Sequence, residues 1–152
     1  MMKFLNKYKA GFEIWGLALF LLVMIPNFIW FGAPAPNDVL RADSVTPITD
    51  MIASVCQVIF VAALCFITRK DREKLKINLL TSAVICCLLI YFAGWVFYYG
   101  GYAGMPVITA LTLPPCLAFV MFALDRKNFF AAIPAVVFTV CHCIYGIVNF
   151  II

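Results

Sequence analysis

Five long apolar stretches dominate the sequence and leave little else to fold. They cover approximately residues 12–32, 47–68, 77–99, 106–124 and 129–151, and the short segments between them hold nearly all of the charge. A helix needs about 20 mostly apolar residues to cross roughly 30 Å of hydrocarbon, because lipid offers no partner to a backbone N–H or C=O. Each stretch meets that length. The expected fold is therefore all-α: a polytopic membrane protein built as a compact bundle of five transmembrane helices, a single domain over residues 1–152. Of the 152 residues, 66% are hydrophobic and 12% charged, too little polar sequence for a surface that faces water. A soluble domain, a disordered chain and a nucleic-acid-binding protein are excluded on that ground.

Local chemistry supports these boundaries. Thr46 followed by Pro47 suits a helix start, since the hydroxyl can cap free amides and proline lacks only an N–H that would be orphaned there. Pro106 reads the same way after the turn formed by Gly100, Gly101 and Gly104. Residues 125–128 form an equally short connection, so the last three helices should run antiparallel to one another. Residues 33–46 are a Pro-rich loop carrying Pro34, Pro36, Asn37 and Asp38.

Basic residues set the expected orientation, because they are retained on the cytoplasmic side of a membrane. Lys3, Lys7, Lys9, Arg69, Lys70, Arg72, Lys74, Lys76, Arg126 and Lys127 fall on one side, and of the 11 basic residues only Arg41 falls on the other. The N-terminus is expected inside and the C-terminus outside a bacterial-type plasma membrane. Loop 69–76 would then be cytoplasmic, against anionic headgroups, and loop 33–46 external. The first span is expected to be retained rather than cleaved, since its apolar run is longer than that of a signal peptide and Pro36 follows Ala33, Pro34 and Ala35. Glu13, four residues after Lys9, is expected to pair with it at the inner interface.

Polar residues inside the spans are unevenly placed. Asp50, Ser54 and Gln57 fall at i, i+4 and i+7 on one helix face, as do Tyr91, Trp95 and Tyr98 on the third span and Thr139, His142, Gly146 and Asn149 on the fifth. Thr109, Thr112 and Cys116 make a shorter stripe, and Asn27 adds to the first span. All gather in the half expected to be outer. Small and polar residues also serve simply to hold membrane helices together. Glue alone needs no such asymmetry, so an outward-facing polar and aromatic pocket is expected from Asn27, Gln57, Tyr91, Trp95, Tyr98, Thr112, His142 and Asn149. Asp50 and His142 are candidates for coupling a proton or ion, since ionisable groups in hydrocarbon are costly and His titrates near neutrality. Pro114 and Pro115 remove two backbone donors and are expected to kink or break the fourth helix, freeing the carbonyls near Ala110 and Leu111.

Seven cysteines lie in the spans, where they act as small packing residues. Cys141, His142 and Cys143 are consecutive, so in a helix they point about 100° apart and cannot share one metal. No catalytic residues, metal or cofactor are assigned, because no phosphate loop, zinc helix or nucleophile elbow occurs. The leading expectation is binding, sensing or transport of a small molecule, with a homodimer or another membrane protein as further partner. The alternatives are a non-catalytic partner or immunity-type subunit, and a membrane oxidoreductase using thiols or haem.

Overall fold

A computed structural model describes residues 6–71 and 74–151; Lys3 and Arg72 lie outside the described residues. Helices α1 (Ile14–Gly32), α2 (Pro47–Phe66), α3 (Leu79–Tyr99), α4 (Met105–Asp125) and α5 (Phe129–Phe150) are all long and apolar enough to span a membrane. Pro47 opens α2, and Pro106 sits in the first turn of α4. The side chains of Asn78 and Asn128 cap α3 and α5 by accepting from the Thr81 and Ala131 amides, which would otherwise be orphaned at a helix start. Lys127, at a positive φ of 51°, turns the chain sharply between α4 and α5. Helix α3 packs along α4, α4 along α5 and α5 along α2, while α1 lies across the open side of this row and touches it more sparsely.

At the end bearing most of the basic residues, α1 and α2 are fastened together. Strand β1 (Tyr8–Ala10) pairs antiparallel with β2 (Ile67–Arg69), and the ladder continues as Gly11 N–H and Glu13 N–H donate to the carbonyls of Phe66 and Cys65. This ribbon ends α2 at Phe66, so Thr68 belongs to a strand instead of the second span. Just beyond, a side chain on Gly16 would meet the Leu64 carbonyl at 2.8 Å, so only glycine permits this approach of the two helices. Asn128, 3% exposed, donates to the carbonyls of Ala63 and Ile67 and so ties the start of α5 to the end of α2. Lys9 lies in a strand, where helical spacing does not apply, and Glu13 pairs instead with Arg126 at 3.2 Å. Both side chains of that pair are largely buried, and it links the start of α1 to the end of α4.

At the other end, the Pro-rich loop is folded around one carboxylate. Asp38 Oδ1 accepts from the Trp30 indole N–H and the Tyr98 hydroxyl, both at 2.8 Å, while Oδ2 accepts from Arg41 at 2.7 Å and from the Ala35 amide at 3.3 Å. Tyr98 in turn accepts from the Leu40 amide, and the Arg41 guanidinium lies over the Trp30 ring. The loop is thereby joined to α1 and α3. Partial burial would raise the Asp38 carboxyl, but these four hydrogen bonds outweigh it and hold the group below its ordinary value of 3.8.

A carboxylate whose folded-state titration is lowered stabilises the fold above the ordinary value and loses that contribution as pH falls through the lowered one. The Ala35 and Leu40 amides are therefore expected to keep their protection from hydrogen exchange down to pH 3.8 and to lose it only at more acidic pH. Loss of protection above that pH would contradict the Asp38 clamp, and Asp38→Asn should remove the dependence.

Candidate functional site

Between α1 and the row of four helices lies a cleft of about 480 Å³, in the half of the bundle nearer the Pro-rich loop. Every helix contributes to its wall. Met24 and Asn27 come from α1, Asp50, Ser54 and Gln57 from α2, Tyr91 from α3, Pro115 and Cys116 from α4, and His142 and Tyr145 from α5. The cleft follows from how α1 is held. Gly16 draws α1 against α2 at the basic end, and further along α1 is hydrogen-bonded to α3 instead. Asn27 Nδ2 donates to the Tyr91 hydroxyl at 2.8 Å, and that hydroxyl donates to the Val23 carbonyl at 2.9 Å.

The α2 wall is the face that the i, i+4, i+7 spacing implies. Ser54 spends its hydroxyl on the Asp50 carbonyl, and Asp50 Oδ1 accepts from the Thr46 hydroxyl at 3.0 Å. Gln57 sits ten residues after Pro47, which places it roughly 15 Å along the helix. On α5, the His142 ring is stacked between Phe138 and Tyr145, with centroids 5.0 and 5.8 Å away. Among the described residues, neither the Gln57 amide nor the His142 ring nitrogens have a hydrogen-bond partner. Both line the cleft, so both are placed to bond something held there. Among the described residues, Asp50 is the sole acidic residue on the wall, and no lysine or arginine joins it.

Of the residues singled out from the sequence, Asn27, Gln57, Tyr91, His142 and Asp50 thus share one cavity, and four others do not line it. Trp95 is 6% exposed and lies edge-on to Tyr91 and Tyr98, with its indole N–H unbonded in the packed interior. Tyr98 is fully buried and belongs to the Asp38 clamp. Thr112 donates to the Ile108 carbonyl and packs on Gly146, where any side chain would meet it at 2.9 Å. Asn149 donates to Thr46 Oγ1 and the Tyr145 carbonyl and accepts from the Val45 amide, securing the loop to α5. Helix α4 runs unbroken through Pro114 and Pro115, so the expected break does not form there; Pro115 lies on the cleft wall.

Tyr145, Ser54 and Cys116 line the cleft without having been singled out as binding residues. The signal was the stripe itself, since Tyr145 follows His142 by one turn and Ser54 precedes Gln57 by one. Among the described residues no group of three or more His, Cys, Asp or Glu side chains could hold a metal ion, and the cysteines form no disulfide.

No protein-family model matches this chain, and no curated protein or solved structure matches it.

The Tyr91 hydroxyl fixes α1 to α3 and thereby one wall of the cleft. Tyr91→Phe removes its acceptor and its donor in a buried place, which should lower stability by about 1–3 kcal/mol. Thermal unfolding of the purified protein in detergent reads this directly; an unchanged midpoint would show that α1 is held by something else.

Proposed function

We propose that this chain is a multi-pass protein of a bacterial-type plasma membrane that binds a small molecule in the cleft, for sensing or transport. Its basic end faces the cytoplasm in this reading, with the Pro-rich loop and the cleft toward the outside, because the clustered lysines and arginines are the groups a membrane retains inside. One observation carries the binding reading. In a bundle of apolar helices, two polar side chains from different helices, Gln57 and His142, line one cavity and have no hydrogen-bond partner among the described residues.

Burying an amide or imidazole without a partner costs free energy, so groups left this way at depth need water or a ligand. The volume of about 480 Å³ falls within the ordinary range for small-molecule sites. Apolar walls from Phe119 and Phe138 would cover the body of such a ligand, while Gln57, His142 and the free oxygen of Asn27 would fix its orientation.

The test is a thermal-shift screen of small molecules against the full chain in lipid nanodiscs. A ligand at one hundred times its Kd should stabilise the protein by about 2.7 kcal/mol. That response is expected to vanish in the Gln57→Ala, His142→Ala double variant; a hit whose effect is unchanged there would place binding outside this cleft.

A further inference from the structure

Resting on the reading of the cleft as a binding site, we propose that its ligand is an organic cation held by the Asp50 carboxylate. The argument begins with what Asp50 lacks. Two other carboxylates packed against the bundle have basic partners, Asp38 with Arg41 at 2.7 Å and Glu13 with Arg126 at 3.2 Å, while Asp125 at the basic end accepts from the Asn78 amide. Asp50 has no basic partner among the described residues, and Arg41, in the neighbouring loop, is committed to Asp38 and to the Trp30 carbonyl. A charge in hydrocarbon surroundings is retained where it meets a countercharge or water, and the cleft is the place from which either can reach this one.

Asp50 is not consumed by its own helix either. A carboxylate in a first turn often accepts from backbone amides and so caps the helix. Here Oδ1 takes the Thr46 hydroxyl, no amide donates to the side chain, and Oδ2 has no partner among the described residues. The Thr46 bond is itself fixed by Asn149, which donates to Thr46 Oγ1 from α5. The loop and two helices therefore hold one carboxylate oxygen at the cleft while leaving the other open.

The rest of the wall suits the same ligand. Among the described residues no lysine or arginine lines it, so an anion would meet Asp50 with no basic side chain there to offset the repulsion. Phe31 from α1 and Tyr145 from α5 contribute aromatic side chains to the wall, and aromatic rings attract organic cations, ammonium and quaternary groups above all. Tyr145 and His142 line the same cleft as Asp50, and among the described residues His142 makes no ion pair with it. Gln57 adds an acceptor oxygen a further two turns in.

The experiment uses the full chain in nanodiscs with three probes: benzyltrimethylammonium, its uncharged carbon isostere neopentylbenzene, and the anion benzylsulfonate. Binding is read as ligand-dependent thermal stabilisation, with empty nanodiscs subtracted for partitioning into lipid. The ammonium should bind about tenfold or more tighter than its isostere, a difference of ~1.4 kcal/mol, and the sulfonate weaker than both. Asp50→Asn keeps an oxygen for the Thr46 hydroxyl; it should erase the preference while leaving the affinity of neopentylbenzene unchanged, which also reports that the cleft is intact. Gln57→Glu, adding a second carboxylate, should tighten the ammonium further.

Equal binding of the three probes, preference for the sulfonate, a preference that survives Asp50→Asn, or no binding of the ammonium would each overturn the cationic ligand. The cleft reading fails separately, when ligands bind the Gln57→Ala, His142→Ala variant as well as the wild type.

Discussion

In a chain this apolar, each polar group in the bundle has to find a partner or lie where water or a ligand reaches it, and the structure is largely the record of how that condition is met. Thr109, Thr112 and Thr139 return their hydroxyls to carbonyls one turn back in their own helices. Asn27 and Tyr91 satisfy one another and the Val23 carbonyl, and Asn128 bonds two carbonyls of a neighbouring segment. Among the described residues, buried groups that escape the rule within the packed interior include the Thr68 hydroxyl and the Trp95 indole N–H. Gln57, His142 and one oxygen of Asp50 also lack a partner among the described residues, and these three line the cleft.

The two ends of the bundle are closed by different means, and this is what leaves a space between them. At the basic end, backbone pairing, the Glu13–Arg126 pair and Asn128 join α1, α2, α4 and α5 within a few residues. At the other end, Asp38 gathers the loop onto α1 and α3, while Asn149 and Thr46 gather it onto α5. Between these closures α1 is held mainly through Asn27 and Tyr91, so the cavity lies along its inner side. The polar asymmetry of the sequence and the position of the cleft coincide: Gln57, His142 and Asp50, which need water or a ligand, lie in the half of the bundle that holds the cleft.

The five helices were legible because period and length in lipid allow few alternatives, and the Asp50, Ser54, Gln57 face was legible because residues at that spacing must share a side. What spacing does not reveal is the direction a face points. Tyr91, Trp95 and Tyr98 form one stripe in sequence, yet only Tyr91 lines the cleft, because Trp95 and Tyr98 sit one and two turns along, in the interior and under the loop. Thr112 looked like a ligand contact and proved to be packed against Gly146, a close approach set by a glycine on a different helix. The β-ribbon and the Asp38 clamp were invisible for a related reason. Each joins short segments far apart in sequence, and neither the three residues of a strand nor a lone loop aspartate has a pattern of its own.

The central claim is that one face of α2 meets a water-accessible cleft while the face bearing Val55 and Val58 meets lipid. Single spin labels at positions 54, 57, 55 and 58 in nanodiscs, relaxed by a water-soluble nickel complex or by oxygen, measure this directly. Labels at 54 and 57 are expected to respond to nickel although 57 lies roughly 15 Å along the helix, whereas those at 55 and 58, on the exposed apolar face of Val55 and Val58, should respond to oxygen. If 54 and 57 are as shielded from nickel as 58, there is no accessible cleft and the account is wrong.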